Sequence, residues 1–250
     1  MVPLLLWALS EWAYPCTSLG ITPATDLHRE YDASCRSYAY TQSSQDSPTY
    51  QWFTTPEIRQ AGRSNLGNSA RLRVAMDRFL KGGNLSVAMV GGSISAGNGA
   101  SDGRPLSNWL QEILYSTYGA LPGVRSRVTV QTAAIAGTWS SYMSLCHAIH
   151  LPVSPDVIFV DYAVNDPEAI DGLNLNNQPR KAFERLLRSL LNKPNRPAVV
   201  LLNAYQWFTM KVNGTFHTVV ERDFQEFAMY YGLPALSVKA CCWRLMYRGG

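Results

Sequence analysis

The sequence predicts an α/β fold, in which an open parallel sheet of five strands carries helices on both faces. From about residue 70 onward, apolar runs of strand length alternate with helical stripes, and this alternation repeats five times. No short turn joins two consecutive strands as a hairpin, so each strand reaches the next through a crossover. A chain of 250 residues, 46% of them hydrophobic, is large enough to bury the core of such a sheet.

The first half of the pattern contains two strands. A helical stripe over residues 72–79 precedes the first strand, which covers residues 87–90 and runs into small residues. Apolar residues over 106–114 then recur at the i, i+3, i+4, i+7 and i+8 spacing of a helix with one buried face. The second strand is predicted at residues 128–135, and a short helix follows at 140–149.

The second half of the pattern contains three strands. The strand at residues 157–162 is nearly all apolar, which is typical of a parallel strand covered on both faces. Asn177 is suited to cap the next helix, because Pro179 just inside the helix start needs no backbone N–H partner. The remaining predicted elements are strands at 198–202 and 235–238, a helix at 220–231, and a helical run after the last strand.

The chain divides into an N-terminal extension, residues 1–65, and the α/β domain, residues 66–250. The extension shows no sustained periodicity, and its first 18 residues contain a short apolar stretch that resembles a signal segment. This stretch is too short to span a membrane. Two glycosylation sequons, at Asn84 and Asn213, also favour a secreted or endomembrane protein. The alternative is a cytoplasmic protein, because no Lys or Arg precedes the stretch and Glu11 interrupts it.

Composition argues against several classes of partner and cofactor. The net charge is +4 and is spread along the chain without a basic block, so we expect no nucleic-acid partner. None of the five cysteines forms a Cys-x-x-Cys pair, which argues against a zinc or redox motif. His147 and His150 lie one helical turn apart, but no third ligand has a matching spacing, so we predict no metal site. No organic cofactor is expected.

Three polar segments follow strands at the edge where the ligands of open α/β sheets bind. Gly91-Gly92-Ser93 follows the first strand, residues 133–138 end the second, and residues 160–166 end the third. A P-loop is excluded at the first segment, because Asn98 stands where the phosphate-binding lysine is required. The sequence therefore places a serine hydroxyl, a glycine-rich turn and an Asn-Asp pair at one edge of the sheet.

These three segments resemble the conserved blocks of the SGNH (GDSL-type) hydrolases. Residues 91–97 resemble the Gly-Asp-Ser block with Gly92 in place of the aspartate, residues 134–137 resemble the glycine block, and residues 163–166 resemble the Gly-x-Asn-Asp block. The resemblance implies a flavodoxin-like three-layer α/β/α domain and a serine hydrolase of carboxylic esters, with either acyl esters or acylated carbohydrates as substrates. We expect a monomer.

The resemblance also implies the roles of individual residues. Ser93 is the nucleophile, and the oxyanion hole is formed by the backbone N–H groups of Ser93 and Gly137 and by the side-chain amide of Asn165. Asp166 supports the loop that carries Asn165. Such donors stabilise the negative charge that develops on a carbonyl oxygen during acyl transfer.

The general base is the open question, because a serine hydroxyl needs one. The family supplies an Asp-x-x-His block beyond the fifth strand, whereas residues 239–250 contain no Asp, Glu or His. We expect this chain either to be a truncated form of an active enzyme or to have lost hydrolysis and to act as a hydrolase-fold binding protein. His217, in the long connection after the fourth strand, is the candidate for a substitute base.

Overall fold

A single six-stranded sheet organises the fold. A computed structural model describes residues 56–100, 102–168, 175–205 and 219–248. The strands are β1 (Arg63–Asn65), β2 (Leu85–Gly91), β3 (Val128–Thr132), β4 (Val157–Asp161), β5 (Ala198–Asn203) and β6 (Ala235–Ser237). Their order across the sheet is β1-β6-β5-β4-β2-β3, and all neighbours are parallel except β1, which pairs antiparallel with β6.

Eight helices flank the sheet in the described part of the chain. They are α1 (Pro56–Ala61), α2 (Ala70–Leu80), α3 (Leu106–Thr117), α4 (Val124–Arg127), α5 (Ser140–His150), α6 (Gln178–Leu191), α7 (Val219–Tyr231) and α8 (Val238–Arg248). The predicted cap of α6 is confirmed, since the Asn177 side chain accepts a hydrogen bond of 3.0 Å from the Arg180 N–H.

Two hydrophobic clusters, one on each face of the sheet, make the fold a three-layer sandwich. Alternate residues of the parallel strands point to opposite faces. One cluster joins them to buried residues of α2, α3 and α8, and the other joins them to buried residues of α5, α6 and α7. In the second cluster, the rings of Phe183 and Phe224 stack with their centroids 3.6 Å apart. The predicted α/β/α architecture is confirmed.

The sheet contains one more strand than the five predicted. The five parallel strands are present, but β1 adds an antiparallel edge, held to β6 in part by the Ser64 hydroxyl, which donates to the carbonyl of Ala235 at 3.2 Å. The three residues of β1 are polar and partly exposed, so they show neither the apolar run of a buried strand nor an alternation long enough to detect. They lie within the stretch assigned to the N-terminal extension.

The parallel strands bring the polar segments to one edge, as expected from their shared direction. Gly91, at the end of β2, is in register with Asp161, at the end of β4. The loops that leave β2, β3 and β4 therefore start side by side. Within the described ranges, we find no helix whose length and apolar character would allow it to cross a lipid bilayer.

Candidate active site

Ser93 lies in the tight turn that follows β2. The Ala96 N–H donates to the carbonyl of Gly92 at 3.0 Å, and the Asn98 N–H donates to the carbonyl of Ser93 at 2.9 Å, so the chain reverses around the serine. The Ser93 side chain is partly exposed. Its hydroxyl forms no hydrogen bond with any other described residue. Solvent therefore reaches Ser93, and no described residue holds its hydroxyl in a structural contact.

Asn165 packs directly against the backbone of Gly92. A Cβ atom on Gly92 would overlap the Cγ, Nδ2 and Oδ1 atoms of the Asn165 amide. In this structure a side chain at position 92 would therefore require the Asn165 amide to move. The contact also places the amide of Asn165 next to the residue that precedes Ser93.

Gly137 lies at an open position of the neighbouring loop. Its φ of +73° is in the left-handed region that favours glycine, and a Cβ there would meet no atom within 4 Å. The Ile135 N–H donates to the carbonyl of Gly91 at 3.0 Å, which ties this loop to the end of β2. The Thr138 hydroxyl donates back to the Ile135 carbonyl at 2.8 Å and closes the turn around Gly137.

The three groups assigned to the oxyanion hole share one property. The N–H of Ser93, the N–H of Gly137 and the amide of Asn165 donate no hydrogen bond to another described residue. Most buried donors in folded proteins are paired, so three donors in adjoining loops that have no partner in the described ranges are candidates to bind a ligand oxygen. The contacts between Gly92 and Asn165, and between Gly91 and Ile135, bring together the loops that carry them.

Asp166 connects the loop after β4 to the start of α5. One carboxylate oxygen accepts from the Ser140 N–H at 2.8 Å, and the other accepts from the Ser140 hydroxyl at 2.5 Å. A carboxylate at a helix N-terminus satisfies an otherwise free N–H and interacts favourably with the helix dipole. Burial raises the pKa of Asp166 to about 6, although the bonds from Ser140 and the charge of Arg180 act in the opposite direction.

A second buried carboxylate, Asp161, lies beneath the turn that carries Ser93. The Ser95 hydroxyl donates to its Oδ2 at 2.6 Å, and both side chains are almost completely buried. Burial raises the pKa of Asp161 to about 6, against the lowering effect of the bonds from Ser95 and from the Ala204 backbone. The sequence reasoning missed this pair. The available signal was an acidic residue directly after the apolar run 157–160.

We expect Asp161→Asn to change how stability depends on pH. Between about pH 4 and 6 the folded state retains a proton on Asp161 that the unfolded chain releases, so the free energy of unfolding falls as the pH rises through this window. Asparagine has no proton to lose, and the variant should gain about 3 kcal/mol relative to the wild type between pH 4 and 7. Urea unfolding at several pH values measures this difference, and a pH-independent difference would contradict the assignment.

The other histidines named from the sequence lie away from this edge or outside the described residues. His147 and His150 are in the last turn of α5, about 10 and 15 Å along the helix from Ser140. Burial lowers the pKa of His147, and the Nε2 atom of His150 lies 2.9 Å from the Tyr142 hydroxyl. His217 falls outside the described residues, so its role as a base stays a prediction.

Comparison with known proteins identifies similar folds. No family model and no curated protein matches the chain. A two-domain esterase active on acetylated mannans, crystallised with mannopentaose, is 24% identical over 76% of this chain, with a TM-score of 0.62. A second structure of that esterase gives 23% identity over the same share and a TM-score of 0.58. An acetyl xylan esterase shares 16% identity over 65% of this chain and 83% of its own, with a TM-score of 0.46.

The chain spans about half the length of the first two structures, 48% and 47%. At this level of identity the similarity establishes the fold. It confirms the three-layer α/β/α fold that the three sequence blocks implied.

Proposed function

We propose that this chain is a serine hydrolase that cleaves carboxylic ester bonds, with Ser93 as its nucleophile. The observation that carries this proposal is the packing of the Asn165 amide on Gly92, which places a side-chain donor without a described partner beside the serine turn. The N–H groups of Ser93 and Gly137, which also lack a partner among the described residues, complete a set of three donors for a carbonyl oxygen that becomes negatively charged. The fold shared with an esterase active on acetylated mannans supports the same chemistry.

In the proposed reaction, the Ser93 oxygen attacks the ester carbonyl carbon while a base takes the hydroxyl proton. The carbonyl oxygen becomes an oxyanion and accepts hydrogen bonds from the three donors. When the carbon–oxygen bond to the alcohol breaks, the protonated base gives its proton to the departing oxygen. Water then attacks the acyl-serine by the same route, releasing the carboxylic acid and restoring Ser93.

The base in this scheme is proposed to be a histidine. Of the described histidines, His147 and His150 are on α5, whose last turn is distant from Ser140 at the edge of the sheet. His217 remains the candidate within this chain, and the family's Asp-x-x-His block is the alternative source. Replacement of His217 by glutamine tests the first candidate. Turnover should be lost if His217 is the base, and it should be unchanged if another group is the base.

The proposed substrates are short acyl esters, including acetyl groups on a carbohydrate. Glycine at positions 91 and 92 and alanine at 96 keep the surroundings of Ser93 small. A Cβ on Gly91 would approach Ser95 and the carbonyl of Asp161 to 2.9 Å, so the backbone is closely packed behind the serine turn. The two-domain esterase of similar fold is active on acetylated mannans, and this supports a carbohydrate ester as the first substrate to assay.

The test is acetate release by the full chain from p-nitrophenyl acetate and from acetylated mannan. We expect turnover of both substrates, with a deacetylated mannan as the control ligand. Binding of acetylated mannan without acetate release would instead identify a non-catalytic binding protein built on the hydrolase fold. The absence of hydrolysis of either ester would contradict the proposed function.

A further inference from the structure

Helix α5 exposes its apolar residues and buries polar ones. Its buried face contains two serines, Ser140 and Ser144, and one large apolar side chain, Met143. Its outer face carries Leu145 and Ile149, which are 72% and 81% exposed. A surface helix normally turns its apolar stripe toward the core and its charged residues toward water. The outer face of α5 therefore requires an explanation.

The neighbouring helix α6 shows the usual arrangement. Phe183 and Leu187 of α6 are buried in the hydrophobic cluster to which α5 also contributes. The residues that α6 exposes include three cations, Lys181, Arg185 and Arg188. The two helices lie on the same face of the sheet, and the reversed pattern of α5 is not shared by its neighbour.

The exposed apolar residues of α5 form one surface, which we call the α5 face. It consists of Tyr142, Leu145 and Ile149, whose i, i+3 and i+7 spacing places them on one side of the helix, and of Val153, exposed just beyond the helix end. The Tyr142 hydroxyl lies 2.9 Å from Nε2 of His150, which holds the tyrosine ring along the helix. A surface ordered in this way loses little side-chain entropy when a partner covers it.

We propose that the α5 face is the interface of a symmetric dimer, in which α5 of one copy packs against α5 of a second copy of this chain. This inference does not depend on the proposed ester hydrolysis. Its first support is the charge of the helix, because Ser140–His150 contains no Lys, Arg, Asp or Glu. A two-fold axis places a surface against the same surface of the partner, and an uncharged apolar surface meets its own copy without like-charge repulsion.

The second support is the size of the α5 face. Its exposed apolar surface is about 500 Å² per copy, so pairing would bury about 1000 Å², which is at the lower limit of specific interfaces. A contiguous apolar patch of this size is large for a monomer. The i, i+3 and i+7 spacing is also that of the apolar seam between two packed helices. An interface at this limit predicts a dimer that dissociates on dilution.

The test measures the mass of the full chain by light scattering over a dilution series. We expect a dimer at high concentration that converts to a monomer on dilution. Ile149→Lys should weaken dimerisation by about 100-fold, because both copies then carry a charge in the interface. Val74→Lys is the matched control and should dimerise like the wild type, because Val74 is 69% exposed on α2, which packs on the other face of the sheet.

Both substituted side chains are exposed, so the two variants should fold, and their circular dichroism spectra should match that of the wild type. Leu145→Glu is a second variant of the α5 face and should dissociate the dimer as Ile149→Lys does. A wild-type chain that stays monomeric at every concentration, as expected from the sequence, would overturn the proposal. A dimer that neither variant dissociates would overturn it as well.

Two further measurements identify a different occupant of the α5 face. The first is sedimentation with vesicles of phosphatidylcholine and phosphatidylserine, where binding by a monomer that is lost in Ile149→Lys would assign the face to a lipid surface instead. The second is maleimide labelling of Ile149→Cys. Slow labelling that becomes fast on dilution supports the dimer, whereas slow labelling of a monomer at every dilution would show that another segment of this chain covers the face.

Discussion

Replacing Ser93 with alanine is expected to reduce kcat for ester hydrolysis by about 10⁴- to 10⁶-fold, because the acyl-enzyme route is then closed. The three donors remain in place in this variant, so a residual rate above that of water is expected from the oxyanion hole alone. The measurement is acetate release under single-turnover conditions, with the unfolding midpoint recorded in parallel. The midpoint should change little, because the Ser93 hydroxyl has no hydrogen-bond partner among the described residues.

Ser189→Ala is the matched control for this variant. Ser189 is also a partly exposed serine. It lies near the end of α6, far from the edge of the sheet at which that helix begins. The Ser189→Ala variant should hydrolyse esters at the wild-type rate. If Ser93→Ala retained more than a tenth of the wild-type kcat, Ser93 would not be the nucleophile.

Replacing Asn165 with alanine is expected to reduce kcat by about 100- to 1000-fold with little change in KM, as for loss of one oxyanion donor. Gly92→Ala should produce a loss of similar size through the same group. The added methyl overlaps the Asn165 amide, which must rotate away from the serine turn. Gly92 is not among the glycines with positive φ, so alanine adds no backbone strain and the fold should persist.

The double variant Gly92→Ala with Asn165→Ala separates this mechanism from general damage to the site. Both single changes remove the same donor, so the double variant should be no more than a few-fold slower than either single variant. Multiplied effects would show that the methyl group at position 92 disturbs something other than the Asn165 amide.

The sequence was informative where apolar periodicity is strong and local. The strands at 157–161 and 198–203 are buried along their whole length, so their composition alone distinguishes them from loops. The edge strand β1 is three polar residues that become a strand only by pairing with β6, more than 160 positions away in sequence. Such a pairing leaves no periodic signal.

In the candidate site, too, local sequence patterns are predictable and contacts between distant segments are not. Ser93, Gly137 and Asn165 were predicted from three blocks that each follow a strand, and the structure brings their loops to one edge. The bonds between Ser95 and Asp161 and between Ser140 and Asp166 join segments 66 and 26 residues apart. No spacing rule connects such residues. The Arg180 and Asp223 pair was missed for the same reason, since α6 and α7 meet only after the sheet has formed.

The convergence of one hydroxyl and three donors on a single carbonyl oxygen is tested most directly by a crystal structure of the full chain treated with a fluorophosphonate. Such a reagent mimics the tetrahedral state of acyl transfer. We expect phosphorus bonded to the Ser93 oxygen, and a phosphoryl oxygen about 3 Å from the Ser93 and Gly137 nitrogens and from Asn165 Nδ2. Modification of a different residue, or a phosphoryl oxygen that contacts neither Gly137 nor Asn165, would contradict the account.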